Sequence, residues 1–192
     1  MEEKITYFEK RGAANTETTL RLARERADAR GITQVVLAST YGDTALRAMD
    51  VFEGLNVAVV GIAIGPREHA GEGDPVRVFS PEVKQAVEAK GGSVLHATHV
   101  LSGINRALRD QMNWNANPVS LISAALRVFG RGTKVALEVA MMATDAGLLD
   151  TGAEAIAIAG SGRGADTALV LQPVNAHRFF DLKVREIICL PR

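Results

Sequence analysis

The sequence predicts an α/β protein in which helices cover a mostly parallel sheet. Short apolar segments rich in β-branched residues alternate with helical segments along most of the chain, as in βαβ units. Near the C-terminus two strand segments follow each other across a glycine-rich turn, which predicts an antiparallel strand at the edge of the sheet. At 192 residues, one domain spanning residues 1–192 is expected.

Five segments are predicted as core strands, counted 1 to 5 in chain order. They are residues 34–39, 56–64, 93–97, 154–159 and 167–174. Their nearly uncharged composition is typical of strands that are buried on both faces. Two further strands are predicted over residues 5–8 and 182–190.

Helices are predicted from apolar spacing and from cap residues. They cover residues 16–30, 45–52, 81–90, 102–112, 118–129 and 133–146. Ser80-Pro81 and Asn117-Pro118 each place an N-cap residue before a proline in the first helical position. Thr133 is expected to cap the last helix, and residues 65–79 are expected to form a long loop.

Composition excludes several classes of protein. Lys plus Arg and Asp plus Glu are 22 each, so the balanced charge argues against nucleic-acid binding. Cys189 is the single cysteine, which excludes an internal disulfide. No signal peptide and no apolar run of about 18 residues is apparent, so no membrane contact and a cytoplasmic location are expected.

Two loops that follow predicted strands carry the candidate ligand-binding residues. Ligands of open α/β sheets bind beyond the carboxyl ends of strands, where the strand order reverses. The first loop leads into a helix, whose N-terminal amides favour phosphate, although Asp43 would repel an anion and could instead cap the helix. The alternative is a capped turn without a ligand. The residues of this loop are Ser39, Thr40, Tyr41, Gly42, Asp43 and Thr44.

The second loop is glycine-rich but does not match a dinucleotide fingerprint. Its spacing is GxGxG rather than GxGxxG, and a strand follows it rather than a helix. Arg163 could meet an anion with its planar fork of donors, and the alternative is a turn with a solvated arginine. The candidate residues here are Gly160, Ser161, Gly162, Arg163, Gly164, Asp166 and Thr167.

The same two loops resemble a known family. Residues 35–49 (VVLASTYGDTALRAM) resemble the first strand–loop–helix of the pyruvate kinase C-terminal domain, with Thr40, Gly42, Thr44 and Ala45 at its motif positions. Residues 157–174 resemble the glycine-rich stretch of that domain. The chain is closer still to small stand-alone proteins with a pyruvate kinase α/β-like domain, through residues 15–20, 39–45, 99–103, 163–168 and 186–189.

This resemblance implies a three-layer α/β/α sandwich with strand order 3-2-1-4-5 and strand 5 antiparallel. It also implies that the two loops face each other across one crevice. Pyruvate kinase activity is excluded, because its barrel domain needs about 250 residues. The stand-alone family implies flavin mononucleotide (FMN) as cofactor, with its phosphate at residues 39–44 and its ring in an apolar slot.

Other residues are weaker candidates. His99 follows core strand 3 and could line the crevice, His96 less so, and two histidines alone do not indicate a metal site. Glu138 is expected to face solvent with Asp145; if buried, it would need a partner and become a candidate base. Trp114 could stack on a ring or serve as a packing anchor.

The leading hypothesis is a domain that binds a phosphorylated small molecule, with FMN preferred. The alternatives are an FMN-dependent oxidoreductase and a structural or interaction subunit with a vestigial crevice. No catalytic residue can be named from the sequence, and the oligomeric state stays open, a homo-oligomer included.

Overall fold

The computed structural model describes residues 3–64, 79–115 and 117–192. The described part contains seven strands: β1 (Thr6–Phe8), β2 (Gln34–Ala38), β3 (Asn56–Gly61), β4 (Ser93–His96), β5 (Ala155–Ala159), β6 (Thr167–Gln172) and β7 (Lys183–Pro191). Its α-helices are α1 (Thr16–Arg30), α2 (Asp43–Val51), α3 (Pro81–Ala89), α4 (Gly103–Met112), α5 (Pro118–Arg127) and α6 (Arg131–Asp145). Two short 3-10 helices cover Ala13–Asn15 and Ala176–Asp181.

The strands form one sheet in the order β1-β7-β6-β5-β2-β3-β4. β2 pairs in parallel with β3 and β5, and β4 continues the parallel part beside β3. β6 is antiparallel to both of its neighbours, β5 and β7, whereas β1 runs parallel to β7. This confirms the predicted α/β class with a mostly parallel sheet.

Helices cover both faces of the sheet, because strand side chains alternate between them. Val35 and Leu37 of β2 pack in the core beneath α1 and α2, while Val36 packs in the core beneath α6. Along β5 the isoleucines face α1, and the alanines face α6. Small side chains on that face let α6 lie close to β2 and β5, which brings its first turns to the carboxyl ends of these strands.

Local signals at two helix starts are confirmed. The Ser80 hydroxyl accepts a hydrogen bond from the Val83 amide at 3.3 Å, and Pro81 occupies the first turn of α3. The Asn117 side chain accepts from the Ser120 amide at 3.0 Å at the start of α5. In both cases the cap satisfies an amide that the helix itself leaves unpaired.

Three sequence predictions need correction. Thr133 is not the cap of α6, which begins at Arg131 after Gly130; its hydroxyl instead donates to the Phe129 carbonyl. The antiparallel β6 is not the edge strand, because its other side pairs with β7, and β1 pairs beyond that. The second core strand ends at Gly61 rather than at residue 64. The loop predicted over residues 65–79 falls almost entirely outside the described residues.

None of the helices in the described part is long and apolar enough to cross a membrane.

Candidate functional site

A cleft of about 500 Å³ lies at the carboxyl ends of β2 and β5, and we call it the switch-point cleft. Because these two strands are parallel neighbours, the loops that follow them meet at the same edge of the sheet. Its lining consists of Ala38, Ser39, Thr40, Tyr41, Asp43, Thr44, Val60, Ile62, His99, Val135, Gly160, Gly162, Arg163 and Gly164. Most of the residues predicted from the two loops therefore border one cavity.

The loop after β2 leads into α2 without a side-chain cap. Gly42 is the N-cap residue, and the buried Ser39 hydroxyl accepts its amide hydrogen at 3.2 Å. Asp43 stands in the first turn and does not cap the helix, so that interpretation of Asp43 is wrong. Amides at such a helix start are available to an anion, and the positive end of the helix dipole favours one.

Gly42, which was predicted as a binding residue, is not among the residues that line the cleft. Its φ of +96° suits glycine, and a Cβ built there would lie 2.2 Å from Cγ1 of Val83 on α3. The glycine is therefore required for the close packing of this loop on α3. A bulky residue at position 42 would disturb the fold before it reported on binding.

Arg163 joins the second loop to the first across the cleft. Its Nε lies 2.8 Å from Oδ2 of Asp43, and both side chains are largely exposed. The sequence-based concern that Asp43 would repel an anion is therefore reduced, because Arg163 offsets its charge.

Asp166 and Thr167 were predicted as binding residues but are buried and lie outside the cleft lining. The Asp166 carboxylate accepts from the amides of Gly12 and Ser161, at 2.8 and 3.2 Å, and from the Thr167 hydroxyl at 3.0 Å. A Cβ on Gly132 would lie 2.0 Å from Oγ1 of Thr167. These residues shape the glycine-rich loop and dock α6 rather than line the cleft.

Glu138 lies at the centre of a buried polar network, so the expectation that it faces solvent is wrong. One carboxylate oxygen accepts from the Leu101 amide at 2.9 Å and from the Ser102 hydroxyl at 3.2 Å. The other oxygen lies 2.5 Å from Nζ of Lys134 and 3.2 Å from Nδ1 of His99. The signal in the sequence was the i, i+4 spacing of Lys134 and Glu138 on one helix face.

The charge state of this network follows from its contacts. Burial by itself would raise the pKa of the Glu138 carboxyl, but the hydrogen bonds and charges of His99 and Lys134 outweigh it and lower that pKa to about 2. Burial lowers the pKa of the Lys134 ammonium, and Glu138 opposes this. Glu138 therefore stays ionised at neutral pH and holds His99 and Lys134 in place, so it is not a candidate base.

A second cavity, of about 530 Å³, adjoins the first and shares His99, Val135, Gly160 and Gly162 with it. We call it the basic pocket. Its remaining lining residues are Ser102, Arg106, Arg127, Arg131, Lys134 and Ser161. Ser161, a predicted binding residue, thus borders this pocket rather than the cleft. Sequence reasoning missed the arginines because they lie on three helices and form no local motif.

The remaining candidates lie away from both cavities. His96 packs edge-on against Phe79 with ring centroids 5.1 Å apart. Trp114 is half exposed and lines a separate apolar groove between α4 and α5, which His99 also borders. Cys189 is fully buried, and burial raises the pKa of its thiol to about 11, so this thiol is unreactive. Within residues 3–64, 79–115 and 117–192, no group of three or more His, Cys, Asp or Glu side chains could hold a metal ion.

No family model matches the sequence. Among solved structures, the chain is similar to the crystal structure of O-ureido-L-serine synthase, at 19% sequence identity and a TM-score of 0.26. The match covers 67% of this chain and 47% of that one, so the chain spans about half the length of that structure. A similarity this low carries no inference about this chain.

Proposed function

We propose that the protein binds a phosphorylated small molecule in the switch-point cleft, with FMN as the preferred ligand. The observation that carries this proposal is the meeting of the two loops, after β2 and after β5, around one cavity of about 500 Å³. That volume is typical of ligand pockets, which cover roughly 300–1,000 Å³. The phosphate would bind the uncapped first turn of α2, beside the Thr40 and Thr44 side chains.

The lining also suits an apolar ring. Ala38, Val60, Ile62 and Val135 contribute aliphatic side chains to the cleft next to the polar loop residues. An isoalloxazine ring needs such a slot, and when bound it would supply redox chemistry.

The strand order further supports a pyruvate kinase C-terminal-like architecture as part of this proposal. Five adjacent strands, counted from the β4 edge of the sheet, run β4-β3-β2-β5-β6, which corresponds to 3-2-1-4-5 when the strands are numbered from Gln34. The fourth strand of that order, β5, pairs with β2, and the cleft lies where the loops after these two strands meet.

The test is a visible absorption spectrum of the freshly purified protein, followed by a fluorescence titration with FMN. Saturable quenching of FMN fluorescence is expected. Thr40→Val should weaken the affinity for FMN by about fivefold, because one hydrogen bond is lost. Thr33→Val is the matched control, because Thr33 directly precedes β2, at the end of the strand opposite to the cleft. If the protein shows no flavin absorption bands and FMN fluorescence is not quenched, FMN is excluded as the ligand.

A flavin-dependent oxidoreductase is the second candidate, and His99 favours it. The His99 ring lines the cleft, and Glu138 holds its Nδ1, so the cleft has an imidazole in a fixed position where it could take part in proton transfer. Bleaching of bound FMN by a nicotinamide donor would support this candidate, whereas a flavin that stays oxidised would favour a binding function without catalysis.

A further inference from the structure

The basic pocket brings together cationic side chains from three helices. Arg106 comes from α4, Arg127 from the end of α5, and Arg131 and Lys134 from the first turns of α6. His99, Ser102 and Ser161 complete the polar lining. Among the described residues that line the pocket, none carries a carboxylate, and Glu138 lies behind it, engaged by Lys134 and His99.

The pairing of the arginines sets this pocket apart. Most other arginines among the described residues pair with carboxylates, as Arg24 does with Asp28 and Arg30 with Glu154. Arg127 and Arg131, in contrast, form no side-chain ion pair or hydrogen bond with any described residue. In a chain of zero formal net charge, two unpaired guanidinium groups at one cavity are a local excess of positive charge.

The cations in the pocket also repel one another. Burial is the main cause that lowers the pKa of Lys134, and the positive charges of Arg127 and Arg106 lower it further, because they disfavour its charged form. The repulsion between these cationic side chains costs free energy unless an anion binds between them. Guanidinium groups bind tetrahedral oxyanions through paired N–H donors, and the ammonium group of Lys134 lies beside them.

We infer that the basic pocket is an anion subsite that binds a phosphate group, separate from the loop of residues 39–44. Because the basic pocket adjoins the switch-point cleft and shares four lining residues with it, the natural ligand carries an anionic group at the end that faces α6. This last statement about the ligand rests on the proposed function, whereas phosphate binding in the pocket does not.

The test is a titration of the full chain with inorganic phosphate, followed by calorimetry or by phosphorus NMR, in a buffer free of other oxyanions. The variant is Arg127→Gln/Arg131→Gln, and both side chains are exposed, so the fold should be retained. The matched control is Arg21→Gln/Arg178→Gln, which removes two exposed arginines outside the pocket lining. We expect millimolar or tighter binding by the wild type and the control, and at least about a tenfold loss in the variant.

Two results would overturn the inference: no phosphate binding by the wild type at about 10 mM, or a variant that binds phosphate with the same affinity and the same number of sites as the wild type. The FMN titration separates this inference from the proposed function, since Thr40→Val should weaken FMN binding and leave unchanged the phosphate binding that depends on Arg127 and Arg131. Phosphate bound in the pocket without FMN binding would uphold the subsite and reject the flavin.

Discussion

The two cavities at the edge of the sheet achieve electrostatic balance in different ways. In the switch-point cleft, Arg163 and Asp43 pair with each other in solvent, and backbone amides and hydroxyls provide the rest of the polar lining. In the basic pocket, Lys134 is buried on a carboxylate that is itself fully buried, while Arg127 and Arg131 have no ion-pair partner among the described residues. The comparison teaches that removing one charge from the buried network should lower the free energy of unfolding strongly, whereas removing one from the exposed pair should hardly change it.

The largest effect is expected at the buried network. Glu138→Leu should lower the free energy of unfolding by about 3–5 kcal/mol, because it leaves the Lys134 ammonium buried without its partner. The double variant Lys134→Met/Glu138→Leu should recover most of the loss, since apolar side chains remove both charges. Urea denaturation measures both variants, and a loss below about 1 kcal/mol in the single variant would contradict a buried ion pair.

The pH dependence of stability should identify the same network. The pKa of Glu138 is lowered from 4.5 to about 2 in the folded protein, so its stabilising contribution is complete above about pH 4.5 and is lost as the pH falls towards 2. The contribution amounts to about 3 kcal/mol. Urea denaturation of the wild type and of Lys134→Met/Glu138→Leu across that range should show the wild type losing stability relative to the double variant as the pH falls, because the double variant lacks the titrating carboxyl. A constant difference between the two would argue against an ionised Glu138.

A smaller effect is expected in the loop that borders the switch-point cleft. Gly42→Ala should cost about 2–3 kcal/mol, since it combines a left-handed φ with a collision against Val83. Gly54→Ala is the control: its φ is +82°, nothing lies near its Cβ, and a loss of only about 1 kcal/mol is expected. Thermal unfolding measures the difference, and equal losses would show that Val83 yields without cost.

The smallest effect is expected at the exposed pair. Arg163→Gln and Asp43→Asn should each change the free energy of unfolding by less than about 0.5 kcal/mol, because solvent screens both side chains. If the pair closes the cleft, Arg163→Gln should instead speed the release of FMN in stopped-flow fluorescence. A large loss of stability in either variant would mean that this pair resembles the buried network, and the contrast between the two cavities would fail.

Much of the fold could be predicted because its signals are local. The proline-preceded caps at Ser80 and Asn117 and the apolar segment of β2 each lie within a few residues of sequence, and each forms the expected element. The prediction at Thr133 was wrong because a hydroxyl near a helix start has several local acceptors, and here it bonds the Phe129 carbonyl.

The candidate site, like the fold, could be predicted from the sequence only in part. The loops after β2 and β5 were predictable, because parallel neighbouring strands place the residues that follow them at one edge of the sheet. Asp166 and Thr167 belong to the same stretch of sequence, yet their side chains turn inward and hold the loop. Residue type alone does not distinguish a carboxylate that binds a ligand from one that accepts backbone amides.

The sequence by itself determined the α/β class, the two polar loops and the balance of charge, because these depend on near neighbours and on composition. Only the tertiary structure decided that Glu138 is buried and that Arg106, Arg127 and Lys134 converge on one pocket. The physical reason is that three helices must pack before their charges meet. The burial and electrostatic cost of those charges is a property of the packed helices and not of any segment of the chain.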